Sequence, residues 1–231
     1  MENPFFRGSS QGHMCWPLTR MLAVGICCVI VFGALPGQIK AAEQPSWEEM
    51  ARIFEQVGRE KNIPPEILKA IAYKESGWGQ FYADGRPKIA DGKYVGVMQV
   101  TMLDSLDAET RYKIQYDVCF NVAYGADILN EKWEMAPNIG NGDRTVVENW
   151  YFAIWAYNSW IVYNNPNTAR EAGRTAYQDS VFQIMADHPY GADLATPIAA
   201  TPYNFPAGSL PSKGETYLTP TPAHYSIELA N

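Results

Sequence analysis

The stretch PPEILKAIAYKESGW, residues 64–78, decides the fold class of this chain. Pro64-Pro65 suits the first turn of a helix. The next apolar residues follow at the i, i+3, i+4 spacing of one helix face: Leu68, Ile71 and Ala72. Glu75 continues this series at i+7, so the spacing predicts a helix that carries a partly buried carboxyl group in its last turn. Burial and the helix dipole both favour the protonated form of such a group.

The rest of the chain predicts an all-α domain. Ser46 and Glu49 form a capping box, and apolar residues with helical periodicity follow it. Further helices are predicted at about 46–58, 118–133, 145–160 and 166–188. The segment 76–95 has no sustained period and is rich in Gly, Asp and aromatic residues, which predicts a long ordered loop or a short hairpin. The expected organisation is a single helical domain at 43–188 and a Pro-rich extension at 189–231 that is extended, docked or disordered.

The N-terminal 42 residues resemble a secretory leader. Residues 21–35 are an uncharged apolar run that follows Arg20 and precedes small residues at Ala41-Ala42. This run is shorter than the roughly 20 residues that a membrane-spanning helix needs. We therefore expect export, with the protein in the cell wall, the periplasm or the extracellular space. An uncleaved N-terminal anchor is the alternative, and it is the one membrane contact that the sequence suggests.

Composition excludes several other classes of protein. The net charge is −7 and no Lys/Arg-rich run occurs, which argues against nucleic-acid binding. Cys119 is the single cysteine beyond the leader, and its apolar helical context favours a buried hydrophobic role. With three scattered histidines, the sequence predicts neither a metal site nor a cofactor. We also expect a monomer.

Three short motifs follow Glu75 in order: GVMQ at 96–99, NVAYGADIL at 121–129 and AYN at 156–158. With KESGW at 74–78, their order and spacing resemble the lytic transglycosylase domain of the soluble type, a glycoside hydrolase family 23 domain related to goose-type lysozyme. The resemblance covers roughly residues 46–187. It implies a lysozyme-like α+β variant of the helical fold, with the long loop at the active site.

The resemblance also implies an activity on peptidoglycan glycan strands. In this family a glutamate protonates the leaving oxygen of the β-1,4 bond between N-acetylmuramic acid and N-acetylglucosamine. The C6 hydroxyl of the muramyl sugar then closes a 1,6-anhydro ring, so that one carboxyl group suffices where most glycosidases use two. Carried onto this chain, Glu75 is the expected acid and later base, and Ser76 is expected to position Glu75 or the sugar.

Four further residues are expected at the substrate. The amide of Gln99 is expected to bind a sugar, and the thioether of Met98 to pack against it. Tyr157 ends an apolar helical stripe and is expected to direct its hydroxyl group at the acid or the substrate. For Asn158, a contact with a sugar and a contact with the local backbone are equal alternatives.

The aromatic content of 13% suggests rings that stack on sugar faces. The candidate rings lie after the acid and near the last motif: Trp78, Phe81, Tyr82, Tyr94 and Trp160.

Departures from the family pattern keep alternatives open. Ser159 and Trp160 follow AYN where many members have any residue and then Gly. Asp91 precedes GVMQ, so a goose-type muramidase that hydrolyses the same bond with an additional aspartate is one alternative. Asp84 and Asp91 both stand in Asp-Gly pairs, which are typical of turns. Thr101 stands where those lysozymes have an aspartate, and this difference favours the transglycosylase. A non-catalytic glycan-binding protein is the other alternative.

Overall fold

The computed structural model describes residues 42–102 and 104–230, and these residues are mainly helical. The helices are α1 (Trp47–Lys61), α2 (Pro65–Ser76), α3 (Ala108–Tyr116), α4 (Val118–Met135), α5 (Tyr151–Asn158), α6 (Pro166–Glu171) and α7 (Tyr177–Asp187). The strands are pairs of residues: β1 (Ile89–Ala90), β2 (Tyr94–Val95), β3 (Val100–Thr101), β4 (Asn138–Ile139) and β5 (Thr216–Tyr217). The prediction of a helical, lysozyme-like fold class is confirmed.

Helix α2 lies at the centre of the fold. Every residue from Pro65 to Ala72 is buried, so this helix is enclosed on all sides and not on a single stripe. Helix α1 packs against it and begins with the predicted capping box, in which Ser46 and Glu49 exchange side-chain to backbone hydrogen bonds. Helix α7 packs against the other side of α2, and α4 and α5 join the assembly through α1 and α7. The last turn of α2, which carries Glu75, is the part that reaches the surface.

The segment after α2 forms a small antiparallel sheet in the order β1, β2, β3. Ala90 pairs with Tyr94 across the first turn, and Val95 pairs with Val100 across the second. The short-hairpin form of the prediction for this loop is therefore the one observed. The second turn contains the GVMQ motif and returns the chain toward α2.

Two helix predictions need correction. Helix α3 was not expected, because it buries only Ile114 and so has no apolar periodicity, although Asp107 caps it through the Thr110 backbone N–H. The predicted helix at 166–188 is two helices, α6 and α7, because the chain turns at Gly173 with φ +68°. The backbone N–H of Arg174 then bonds to the Ala169 carbonyl, as at a glycine-terminated helix end.

The Pro-rich extension docks on the helical domain. Strand β5 pairs in parallel with β4, with Ile139 opposite Tyr217. The aromatic rings of the extension then pack on α5: Tyr203, Phe205 and Tyr217 lie 5.1, 6.1 and 5.2 Å from the ring of Phe152. Among the three states that the composition allows for this segment, the docked one is observed.

The predicted leader at 1–42 lies, apart from its last residue, outside the described residues. Within residues 42–102 and 104–230, no helix is both long enough and apolar enough to cross a membrane. Cys119 is half-buried and packs against the core at the start of α4, so its burial is partial.

Candidate active site

Glu75 lies half-buried at the end of α2, facing the first residue of α7. The hydroxyl group of Tyr177 donates a hydrogen bond of 2.5 Å to Glu75 Oε1. Tyr177 itself is buried, because it begins α7 where that helix packs on α2. Tyr177 was not predicted as a site residue from the sequence. The pattern that could have indicated its burial is the helical spacing of Tyr177, Val181 and Met185 on one apolar face of α7.

Burial raises the pKa of Glu75, and the hydrogen bond from Tyr177 and the nearby Lys74 charge only partly offset this effect. The position at the C-terminal end of a helix acts in the same direction as burial. Burial also raises the pKa of Tyr177 well above its ordinary value, and the adjacent Glu75 adds to the shift. The site therefore combines two groups. The Glu75 carboxyl group retains its proton to higher pH than an exposed glutamate does, and the Tyr177 phenol stays neutral and donates a hydrogen bond to it. This combination suits a general acid.

Tyr157 connects α5 to the turn formed by Gly96–Gln99, which we call the active-site turn. Its hydroxyl group donates a 2.9 Å hydrogen bond to the Met98 carbonyl oxygen. Burial raises the pKa of Tyr157, and the charge of Glu75 contributes to the shift, so Tyr157 lies within electrostatic range of the acid. The hydroxyl group of Tyr157 thus bonds to the Met98 carbonyl and not to Glu75, and it holds the backbone of the active-site turn. Its expected contact with the substrate stays a prediction.

The active-site turn requires special backbone conformations. Gly96 has φ +75° and Gln99 has φ +45°, and the Gln99 side-chain amide donates a 2.7 Å hydrogen bond to the Gly96 carbonyl. A Cβ atom on Gly96 would lie 2.3 Å from Gln80 Oε1 and 2.4 Å from Asn121 Nδ2. The first residue of the GVMQ motif must therefore be glycine for both steric and torsional reasons. Gln99 remains half-buried beside the site.

The expected sugar contact of the Met98 thioether is wrong for this structure. Met98 is fully buried and packs against Gly125 of α4, where a Cβ atom would lie 2.7 Å from the Met98 Cβ. The glycine of NVAYGADIL thus makes room for the methionine of GVMQ, which explains why both motifs occur in one chain. Met98 serves the site through its backbone, because its carbonyl binds Tyr157.

Two fully buried amides hold the active-site turn from behind. Gln80 Oε1 accepts the Val97 N–H at 2.8 Å, and Asn121 Oδ1 accepts the Met98 N–H at 3.0 Å. Asn121 begins the NVAYGADIL motif, whereas Gln80 was not predicted from the sequence. A lone glutamine in a loop carries no periodic signal, so its role appears only when the loop folds back over α3.

Ser76 fastens the end of α2 to the active-site turn. Its hydroxyl group donates to the Val97 carbonyl at 2.8 Å and accepts the Gly79 N–H at 3.1 Å. Of the two roles expected for Ser76, these contacts support positioning of Glu75.

Asn158 is exposed, and its side-chain oxygen accepts a 2.9 Å hydrogen bond from the amide of Asn164. The observed partner is a side chain and not the local backbone, and the contact of Asn158 with a sugar stays a prediction. Trp160 lies 4.9 Å from the Trp155 ring and 6.0 Å from that of Phe152, so it belongs to the aromatic cluster that the extension covers.

The remaining candidates separate into core and surface. Trp78 is buried, stacks on Tyr190 and donates to a backbone carbonyl, so its expected stacking on sugars is wrong. Phe81 is likewise buried, whereas Tyr82 is exposed. Tyr94 is half-buried beneath Lys93.

The two aspartates lie in exposed turns. Asp91 has φ +49° at the tip of the β1–β2 hairpin, and Asp84 forms a 2.7 Å ion pair with Arg86. Both positions fit the turn-forming role of Asp-Gly pairs.

Within residues 42–102 and 104–230, no group of three or more His, Cys, Asp or Glu side chains is arranged to hold a metal ion. Tyr151 and Asp179 form a second phenol–carboxyl pair among the described residues, and the Glu75–Tyr177 pair differs from it by lying at the end of α2, where Ser76 bonds to the active-site turn.

Comparison with known proteins agrees with this geometry. The family model described as the transglycosylase SLT domain matches residues 52–179, which include α2, the active-site turn and Tyr177. No curated protein matches the chain significantly. The match spans more than half of the chain and contains every residue of the site described above, so the chain belongs to the transglycosylase SLT domain family, whose members act on peptidoglycan.

Proposed function

We propose that this protein is a peptidoglycan lytic transglycosylase in which Glu75 is the only essential carboxyl group. The observation that carries the proposal is the hydrogen bond from the neutral Tyr177 phenol to a half-buried Glu75 with a raised pKa. A protonated carboxyl group fixed in one orientation can deliver its proton to a glycosidic oxygen.

The proposed reaction proceeds in two proton transfers. Protonated Glu75 donates its proton to the oxygen between N-acetylmuramic acid and N-acetylglucosamine, and the bond from that oxygen to the muramyl C1 breaks. The Glu75 carboxylate then accepts the proton of the muramyl C6 hydroxyl group as that oxygen bonds to C1. The products are a 1,6-anhydromuramyl end and a free 4-hydroxyl group, no water is consumed, and Glu75 is protonated again.

The other site residues act through position. Tyr177 orients the carboxyl group and, by donating to it, stabilises the charged form that exists between the two transfers. Ser76 and Tyr157 fix the active-site turn on two sides, at the carbonyl groups of Val97 and Met98. Gln99 is left at the edge of this turn, where we propose that it contacts the sugar.

The exposed position of Asp91 in a hairpin turn favours this single-acid mechanism over the muramidase alternative. A second catalytic carboxylate would have to hold a water molecule beside the sugar. Asp91 instead occupies a tip residue with positive φ, where a short polar side chain stabilises the turn.

Product masses test the proposal. Purified peptidoglycan treated with the protein should release anhydromuropeptides that are one water lighter than reducing muropeptides. Glu75→Gln should abolish release, whereas Asp91→Asn should retain it. Reducing ends would establish the muramidase, and tight glycan binding without turnover at any pH would establish a binding protein.

We also propose that the segment 1–42 directs export and that the helical domain at 43–188 acts as a monomer. The family acts on peptidoglycan in the periplasm or cell wall, which requires passage across a membrane. The intact mass of the protein recovered from the cell envelope distinguishes a chain cleaved near Ala42 from one that retains its leader as an anchor. A full-length protein confined to the cytoplasm would contradict the proposal.

A further inference from the structure

Helix α3 presents two exposed tyrosines that stack on each other. Tyr112 is 63% exposed and Tyr116 is 43% exposed, and their ring centroids lie 4.8 Å apart at 28°. The helix contributes only Ile114 to the core, so these rings are not required for its packing. We call them the tyrosine pair. The two tyrosines stand at i and i+4 of one helix and stack on each other, which fixes their orientation and leaves their outer faces and edges open to a ligand.

The tyrosine pair is rigidly connected to the active-site turn. The side chain of Gln80 donates to the carbonyl groups of Ile114 and Gln115 at 3.0 and 2.8 Å, and that of Asn121 donates to Ile114 at 2.9 Å. These are the same two amides that hold the backbone of the active-site turn. A ligand bound to α3 is therefore held at a fixed distance from the catalytic centre.

A second aromatic pair lies on the neighbouring helix. Phe120 and Tyr124 stack at 6.1 Å on the first turns of α4, and both are half-buried. Lys113 of α3 lies over the Phe120 ring at 5.8 Å and links the two helices. Both α3 and the start of α4 thus carry aromatic pairs, joined at Lys113.

The chemistry of the surface selects the class of ligand. The chain carries a net charge of −7, so electrostatic attraction does not recruit an anionic polymer such as peptidoglycan. The flat faces of tyrosine rings match the axial C–H face of a pyranose ring, and their hydroxyl groups can bond to its substituents. We propose that the tyrosine pair is an accessory site that binds the glycan strand of peptidoglycan away from the bond that is cleaved; this rests on the proposed function.

The accessory site would act through effective concentration. A strand that is held on α3 presents its neighbouring sugars to Glu75 as an intramolecular event, which lowers the KM for a long polymer without altering the chemical step. A fragment too short to reach both sites gains nothing. The proposal therefore predicts that KM falls as the glycan strand becomes longer, and that this fall requires the tyrosine pair.

The test is the double substitution Tyr112→Ala with Tyr116→Ala. With long glycan strands freed of peptides, KM should rise roughly tenfold or more and kcat should be unchanged, whereas a short muropeptide fragment should be cleaved as by the wild type. Tyr112→Phe with Tyr116→Phe should keep KM for long strands close to the wild-type value, because the ring faces persist. Tyr225→Ala is the matched control, since Tyr225 is 60% exposed on another part of the surface.

A binding measurement separates this proposal from the proposed function. Cosedimentation with insoluble glycan is measured in the Glu75→Gln background, where catalysis is absent. Weaker binding by the double tyrosine variant, but not by Tyr225→Ala, would support the accessory site even if the products proved to be hydrolytic. Equal binding by all variants would overturn it. A wild-type dimer that becomes monomeric only in the double variant would also overturn it, because the pair would then be an interface between copies.

Discussion

Replacing Glu148 with alanine should loosen the Pro-rich extension and destabilise the whole domain. Glu148 is fully buried in the 3₁₀ turn Val147–Trp150. Its Oε2 accepts the backbone N–H of His224 at 2.8 Å, and its Oε1 accepts that of Thr201 at 3.1 Å. The His224 Nδ1 lies 2.6 Å from the same Oε1. One carboxyl group therefore holds two separate points of the extension.

The size of the effect follows from these contacts. Truncation leaves two backbone N–H groups without their acceptor and removes the contact with the His224 ring, and an unsatisfied buried donor costs about 1–3 kcal/mol. Because these groups are only partly buried, each cost lies toward the lower end of that range. We therefore expect Glu148→Ala to lower the free energy of unfolding by about 2–3 kcal/mol. This is a large part of the roughly 5–15 kcal/mol that stabilises a typical domain.

Urea denaturation measures this loss, and limited proteolysis followed by mass analysis locates it in the extension. The matched control is Glu228→Ala, which also removes a contact of the extension, a 2.8 Å ion pair with Arg59. Because Arg59 and Glu228 are 52% and 45% exposed, solvent screening limits that pair to about 1 kcal/mol or less. If Glu148→Ala were no more destabilising than Glu228→Ala, the claim that a buried carboxyl group anchors the extension would be refuted.

Three further predictions concern the site. Because burial raises the pKa of Glu75, and the acid must be protonated, activity should fall as pH rises through that raised pKa. Tyr177→Phe removes a hydrogen bond that stabilises the charged form, so the fall in kcat/KM should move to higher pH; a shift to lower pH would contradict this assignment. Gly96→Ala should lower stability by about 1–3 kcal/mol and reduce muropeptide release, because it combines a positive φ with a 2.3 Å approach to Gln80. A Gly96→Ala variant with the thermal midpoint and release rate of the wild type would count against the turn geometry.

The extension explains a departure in the sequence pattern after AYN. Trp160 stands at the position where many members of the family have glycine, and it packs with Phe152 and Trp155 of α5. The extension covers this cluster with Tyr203 and Phe205. The tryptophan therefore enlarges an apolar surface that the extension then buries, and burial of such rings stabilises the docked state by the hydrophobic effect.

Sequence periodicity determined the parts of this protein that depend on neighbours along one helix. The spacing from Leu68 to Glu75 placed a carboxyl group on a buried face, and Glu75 is half-buried there. The capping box of α1 was equally local. Helix α3 was missed for the same reason, since a helix that buries only Ile114 shows no period. Local patterns report which face of an element is apolar, and they do so only when that face is wide enough.

Only the tertiary structure decided what those faces meet. Tyr177 lies 102 residues after Glu75, and nothing in either segment indicates that a phenol would reach the acid. Met98 was expected at the sugar and is instead buried against Gly125, where the missing Cβ atom of the glycine leaves room for its side chain on α4. The periodicity of α2 could place the Glu75 carboxyl group on an apolar face because a helix is a local structure, and the resemblance to the family then singled out Glu75 as the expected acid. The partner that orients the acid depends on long-range packing and hydrogen bonding, which no single stretch of sequence encodes.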